Sequence, residues 1–220
     1  MSTLDKIAQF YGTDKRSDIH DYCRKYEKYL PFNKYDKLKI LEIGVFNGRS
    51  LKMWEEYYPN SMIYGIDINP ECVKYQNNRI KIKIGSQIDK SFLDEIIKLK
   101  PFDLIIDDGS HINYNTIFTY EYLFPSVKSG GVYVIEDSCT SYWPEYGGGR
   151  YKEGTVIEYF KKTIDEVNFF GEKYEYGDWV IPNRKDKNLI TQFKKKGYKY
   201  KGTEIESLNF LNSLIIITRR

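Results

Sequence analysis

Two hydrophobic runs constrain this chain more than any other feature: Phe102-Asp103-Leu104-Ile105-Ile106-Asp107-Asp108-Gly109-Ser110-His111 and Gly131-Val132-Tyr133-Val134-Ile135-Glu136-Asp137. Each is a short aliphatic stretch bounded by Gly or Pro and ending in carboxylates, which reads as a strand covered on both faces, as in parallel sheets. In open sheets of that kind, ligands sit outside the carboxyl ends of the strands. If the two strands are neighbours, Asp107, Asp108, Glu136 and Asp137 are expected to crowd one small volume. Acids so placed repel one another and raise each other's pKa unless a cation sits among them. A divalent metal is the economical cation, and His111, one of two histidines in the chain, is expected on the rim of the same cleft. Taken singly, each acid has a plainer reading as a solvated helix cap; the four together with a histidine favour a site.

The rest of the chain supplies the setting. Residues 1–36 precede the first strand: Leu4, Ile7, Ala8 and Tyr11 recur at helical spacing up to Gly12, and Tyr22, Tyr26 and Tyr29 share a face. They are expected to form a helical cap, with Thr13-Asp14 either an ordinary turn or part of a lid over the cleft. Lys37 to Ser50 reads as a strand, a glycine turn and the start of a helix that runs through Leu51, Met53 and Trp54 towards Pro59. Its pattern, Glu42-x-Gly44-x-x-x-Gly48, differs from the dinucleotide fingerprint GxGxxG, and the internal acid repels a diphosphate. Such a loop suits a cationic or zwitterionic ligand. Asp67 ends a second strand about 20 residues further on, where a carboxylate can accept both hydroxyls of a ribose. After a third strand, Ile80 to Ile84, Ser86 and Gln87 offer polar groups to an adenine edge.

Helices are expected over 92–99 and 112–124, followed by a turn at Lys128–Gly131. Residues 138–150 carry no helix or strand period, and Tyr142, Trp143 and Tyr146 there can stack on a sugar or another flat substrate. A helix over 156–170 and a terminal hairpin turning at Asn212-Ser213 complete the chain. The expected fold is α/β: a doubly wound, Rossmann-like, seven-stranded sheet with an antiparallel C-terminal hairpin strand and helices on both faces, its main domain spanning 37–220.

Composition narrows the function. Cys23, Cys72 and Cys139 are odd in number, far apart and without a CxxC pair, which points to a reducing compartment with neither disulfide framework nor thiolate metal site. No run is long and apolar enough to cross a bilayer and no signal peptide is evident, so a cytoplasmic protein without membrane partner is expected. The net charge of +3, from 34 basic and 31 acidic residues, argues against nucleic acid as partner. The one basic, aromatic-laced stretch, Phe193 to Lys201, reads as a helix end leading into a lysine-protected edge strand.

The strings Leu41-Glu42-Ile43-Gly44-Val45, Tyr64-Gly65-Ile66-Asp67-Ile68, Asp107-Asp108-Gly109-Ser110-His111, Ile135-Glu136-Asp137, Ser141-Tyr142-Trp143-Pro144 and Tyr11-Gly12-Thr13-Asp14-Lys15 together resemble the class I S-adenosylmethionine-dependent methyltransferases. The similarity is nearer to the Mg-dependent sugar O-methyltransferases of antibiotic tailoring, of the mycinamicin and elloramycin type. The Asp-Asp-Gly-Ser-His string with its downstream Glu-Asp pair is the most specific of these. The resemblance implies S-adenosyl-L-methionine and Mg²⁺ as cofactors, metal ligands at Asp108, Glu136 and Asp137, and a general base at His111. It places donor contacts at Thr13, Glu42, Gly44, Gly48, Ser50, Asp67, Ser86, Gln87 and Asp107. The implied acceptor is a sugar hydroxyl on a small molecule, nucleotide sugar or glycan, with a homo-oligomer allowed. The chain is shorter than the mycinamicin-type enzymes, which carry a further N-terminal domain. A catechol or other non-sugar acceptor stays open, as do a nucleoside-binding protein without catalysis and an RNA methyltransferase. A cephalosporin hydroxylase-like role is weaker, because one nearby histidine leaves no two-histidine iron site.

Overall fold

The computed structural model describes residues 3–167 and 204–220. Within them, one seven-stranded sheet runs in the order β3-β2-β1-β4-β5-β7-β6. The strands are β1 (Lys39–Ile43), β2 (Met62–Asp67), β3 (Ile80–Ile84), β4 (Phe102–Asp107), β5 (Val127–Glu136), β6 (Ile205–Leu211) and β7 (Leu214–Arg219). β1 to β5 are parallel, whereas β7 runs antiparallel between β5 and β6. The doubly wound sheet and its antiparallel hairpin are therefore those expected from the sequence. Strand order reverses between β1 and β4, and that switch point is where an open sheet leaves a crevice.

Helices cover both faces: α1 (Thr3–Tyr11), α2 (Tyr22–Tyr29) and α3 (Arg49–Tyr57) on one, α4 (Lys90–Ile97), α5 (Asn113–Leu123) and α6 (Val156–Val167) on the other. α4 starts where Asp89 accepts the backbone N–H groups of Ser91 and Phe92, an acid cap of the usual kind. The pleat divides each strand by residue parity. Ile40, Ile106, Val132 and Val134 pack with α1 to α3, while Leu41, Ile43, Ile105 and Tyr133 pack with α4 to α6. Residues 3–36 share this first core: Leu4, Ala8, Tyr22, Cys23 and Tyr26 are wholly enclosed. Asp5 binds the loop after α1 to the helix by accepting the N–H and hydroxyl of Ser17 at 2.7 and 2.8 Å.

Two local expectations differ from the structure. Lys128–Gly131 is not a free turn but part of β5, where a register shift against β4 absorbs the extra residues and the Lys128 ammonium pairs with Asp103. Residues 138–146 hold two 3-10 turns, Ser138–Tyr142 and Pro144–Tyr146, too short to show a period in the sequence. The basic stretch Phe193–Lys201 and the last residues of the helix expected to reach Phe170 lie outside the described residues.

Trp54 anchors the α1–α3 face. It is fully buried, edge-on to Tyr26 at 5.1 Å and stacked on Tyr58 at 6.2 Å between ring centres. Trp54→Ala is expected to remove about 3–5 kcal/mol of stability, read as a lower urea midpoint at unchanged slope. A loss below about 1 kcal/mol would show that this aromatic column does not hold the face together.

Candidate active site

The site begins where β4 and β5 end side by side, Asp107 in register with Ile135. Because side chains alternate, Glu42 shares the face of Ile40, Glu136 shares that of Val134, and Asp107 shares that of Ile105. Asp107 consequently points away from the other acids. It accepts hydrogen bonds from the Tyr133 hydroxyl at 3.3 Å, the Gly109 N–H at 3.3 Å and the Gln87 amide at 3.4 Å. Burial pushes its pKa up to about 7. The expectation that four acids crowd one volume is thus corrected at Asp107 alone: Asp108, Glu136 and Asp137 do gather, and Glu42 joins Asp108 and Glu136 where they converge on one point.

The cation at that point is Lys15. Its Nζ donates to Asp108 Oδ2 at 2.5 Å and Glu136 Oε2 at 2.6 Å, with Glu42 Oε1 3.5 Å away, and its side chain is completely enclosed. The loop between α1 and α2 delivers it, since the Lys15 carbonyl accepts the N–H groups of both Tyr22 and Cys23. Burial alone disfavours the ammonium, yet Asp108, Glu136 and Glu42 outweigh it and hold the Lys15 pKa well above its ordinary value. Burial pushes Glu42 up to about 7 against the pull of Lys15. Burial and the charge of Asp108 raise Glu136. Two tyrosines on successive turns of α2 complete the shell: Tyr26 donates to Glu136 Oε1, and Tyr22 donates to Asp137 Oδ1 at 2.6 Å.

Asp108, His111 and Asp137 stand on the open side, each with a side chain about one fifth exposed. His111 Nε2 lies 3.8 Å from Asp108 Oδ1 and 3.6 Å from Asp137 Oδ2, and one ligand-capable atom of each residue falls within 4.8 Å of the others. His111 and Asp137 both take left-handed backbone conformations, φ 57° and 49°. Non-glycine residues rarely do so, and such strain gathers at functional positions. The Thr140 hydroxyl ties the two together through their carbonyls, at 3.1 Å to His111 and 2.8 Å to Asp137.

These three residues form one end of a cavity of about 990 Å³ whose walls include Thr13, Gly44, Phe46, Asp67, Ile68, Ser86 and Gln87. Gly44 floors it at φ +91°, where a Cβ would fall 2.0 Å from the Asp108 carbonyl oxygen. Asp67 shapes the glycine turn, accepting Val45 and Phe46 N–H at 2.8 and 2.9 Å on one oxygen and Asn69 N–H at 2.8 Å on the other. Burial acts against its charge, but these backbone donors prevail and lower its pKa.

Of the residues singled out in the sequence, Thr13, Gly44, Ser50, Asp67, Ser86, Gln87, Asp108, His111 and Asp137 line the cavity. Glu42, Gly48, Asp107 and Glu136 do not. Glu42 and Glu136 are turned to Lys15, Asp107 lies across the sheet, and Gly48 begins α3 at φ +69° with the Tyr75 ring against its Cα. Tyr146 lies 6.5 Å from the His111 ring and 5.9 Å from Trp143, with Tyr142 and Trp143 about half exposed beside the cavity rather than in its wall. Sequence reasoning missed the roles of Lys15, Tyr22 and Tyr26. Their only signal was the Tyr-Gly-Thr-Asp-Lys string and the i, i+4 tyrosine spacing.

A doubly wound sheet with a glycine-floored cavity at its switch point, an acid at the end of the second strand and a carboxylate–imidazole end defines a Rossmann-like methyltransferase fold. A sequence model described as O-methyltransferase matches residues 33–143, half of the chain, and the protein belongs to that family. The chain is 37% identical over 179 residues to the L-olivosyl-oleandolide 3-O-methyltransferase of Streptomyces antibioticus, covering 76% of this chain and 46% of that one. It is 37% identical over 175 residues to the mycinamicin VI 2''-O-methyltransferase of Micromonospora griseorubida, covering 74% and 44%. The chain thus spans about half the length of the curated relatives it matches. The MycE methyltransferase of the mycinamycin biosynthetic pathway, solved in complex with Mg, SAH and mycinamycin VI, superposes with a TM-score of 0.79 at 28% identity, covering 99% of this chain and 54% of that one.

Gly44→Ala tests the floor of the cavity. Backbone strain at positive φ and a collision with the Asp108 carbonyl are expected to remove about 2–4 kcal/mol of stability, measured by urea unfolding; a variant as stable as the parent would contradict this geometry.

Proposed function

We propose that this protein transfers a methyl group from S-adenosyl-L-methionine to a sugar hydroxyl with the aid of a divalent cation, Mg²⁺ by preference. The observation that carries the reading is the meeting of the cavity with Asp108, His111 and Asp137 at one end. The residues present fit both groups. Gly44, Asp67, Ser86 and Gln87 line a cavity of about 990 Å³, and the absence of a Cβ at Gly44 lets the chain after β1 pass directly against the Asp108–Gly109 backbone beside it. The oxygens of Asp108 and Asp137 are the hard donors a divalent cation takes, and an ammonium already seated between Asp108 and Glu136 shows that these acids accommodate positive charge. The sugar-methylating relatives and the MycE complex support the choice of acceptor.

When bound, the donor brings an electrophilic methyl group and the cation brings Lewis-acid charge beside the acceptor oxygens. The chain's own residues do the rest. Gly44, Asp67, Ser86 and Gln87 line the donor cavity, and Thr13 closes it from the segment 1–36, which serves as a cap built into the core. Asp108 and Asp137 hold the cation end, their positions set by Lys15 and Tyr22. The acceptor hydroxyl is a weak nucleophile, so its proton must leave as its oxygen attacks the methyl carbon. The bound donor would supply a methyl group whose carbon–sulfur electron pair stays on sulfur as it transfers, and His111 Nε2 would take the hydroxyl proton. A placed base of this kind is worth about 10²- to 10⁴-fold in rate.

Labelled methyl transfer from S-adenosyl-L-methionine to a panel of glycosides and nucleotide sugars, with Mg²⁺ and with chelator, tests the reading. Label on a glycoside that disappears with chelator is expected; no transfer to any of them would remove it. His111→Ala is expected to keep donor affinity while turnover falls about 10²-fold or more, and Asp137→Ala is expected to lose the response to Mg²⁺. Normal turnover by His111→Ala would take the base role from this residue.

A further inference from the structure

Lys15 holds a position that the proposed mechanism leaves without a chemical task. Its ammonium takes Asp108 Oδ2 and Glu136 Oε2, while the other oxygen of Asp108 faces His111 on the open side. Asp108 therefore belongs to two sets at once, one buried around the lysine and one on the rim with Asp137. We propose that the Lys15 ammonium and a divalent cation compete for Asp108 and Glu136, so that Lys15 sets how tightly this site holds metal. The inference rests on the cation half of the function proposed above and adds the residue that tunes it.

Three observations carry the argument. Glu136 and Asp137 are held in place from behind, since Tyr26 binds the second oxygen of Glu136 and Tyr22 binds Asp137, so these two carboxylates are not free to swing towards a new partner. The backbone of Lys15 is pinned as well, its carbonyl accepting two N–H groups from the start of α2. The adjustable part is the lysine's own four-carbon stem, which carries a compact charge on rotatable bonds. Two cations sharing one carboxylate repel, and enclosure of the lysine side chain leaves little water between them to screen that repulsion. With Lys15 seated, an incoming cation meets Asp108 and Asp137 against an opposing charge. With the ammonium gone, it meets Asp108 freed and Glu136 added.

The test is calorimetric titration of Mg²⁺ and Mn²⁺ into the full chain, without donor and at fixed pH and ionic strength. The parent is compared with Lys15→Met and with the charge-conserving pair Lys15→Met/Glu42→Gln. Both variants are expected to bind Mn²⁺ about tenfold or more tightly than the parent, and the melting temperature of Lys15→Met is expected to rise more steeply with added Mg²⁺. The double variant separates competition at Asp108 and Glu136 from a general change in charge, because at a pH above the raised pKa of Glu42 it removes one charge of each sign. It also decides the matter if Lys15→Met folds poorly without metal. Binding by the parent with unchanged or weaker affinity in the double variant would overturn the competition and leave the proposed function standing. Absence of binding by parent and variants alike would overturn the cation half of that function together with this inference.

Discussion

The structure depends on one buried ion cluster: a lysine from the first helical loop enclosed by carboxylates from β1, the end of β4 and the end of β5. Taking such charges out of water is expensive, and exchanging a whole buried set for apolar residues of matching volume is often neutral or stabilising. Removing one member is different, because it strands the others; that loss is about 3–5 kcal/mol. The cluster therefore adds little net stability, yet once present it fixes the placement of every element that contributes to it. Glu42, Asp108, Glu136 and the α1–α2 loop meet at a single ammonium, so an error in the register of any of these strands would leave a buried charge without its partner.

That constraint joins the two ends of the site. The short segment that carries Lys15 also carries Thr13 in the cavity wall and leads into Tyr22 and Tyr26, whose hydroxyls hold Asp137 and Glu136. The wall where a donor would lie and the acids where a cation would lie are thus braced by the same residues. On the opposite face of the sheet Asp107 does comparable work without a cation. It braces Tyr133, Gln87 and the turn at Gly109, and Gln87 in turn accepts the Ser110 N–H at 2.8 Å. The chain between Asp107 and His111 is consequently held from both faces.

Much of this was legible because strands announce themselves locally. The runs ending at Asp107 and Glu136, the acid at Asp67 and the hairpin at Asn212-Ser213 each depend on neighbours in sequence, and each lies where the pattern put it. What could not be read was the assignment of adjacent acids to opposite faces. Asp107 and Asp108 differ by one position, and the pleat sends one to Tyr133 and the other to Lys15. Lys15 was hidden for another reason: its partners lie 93 and 121 residues away, and nothing local distinguishes a lysine after Thr-Asp from a solvated one. The need for a cation among the acids was evident from charge alone; that the chain itself contributes one, Lys15, was not.

The backbone explains why the rim differs from the buried cluster. His111 and Asp137 sit at positive φ, Asp137 directly after β5 and His111 in the loop that follows β4, with the Thr140 hydroxyl accepted by both carbonyls. A left-handed residue turns the chain sharply, which carries the imidazole and the carboxylate out of the strand direction and towards the cavity mouth instead of into the next helix. The strain is tolerated because the surroundings determine it from several sides: Tyr22 on the Asp137 side chain and N–H, Thr140 beneath both, and Ser213 accepting the N–H of Ser138. The lysine thereby organises the deep acids, and the rim keeps a carboxylate, an imidazole and a second carboxylate turned towards whatever enters, with Asp108 shared between the two sets.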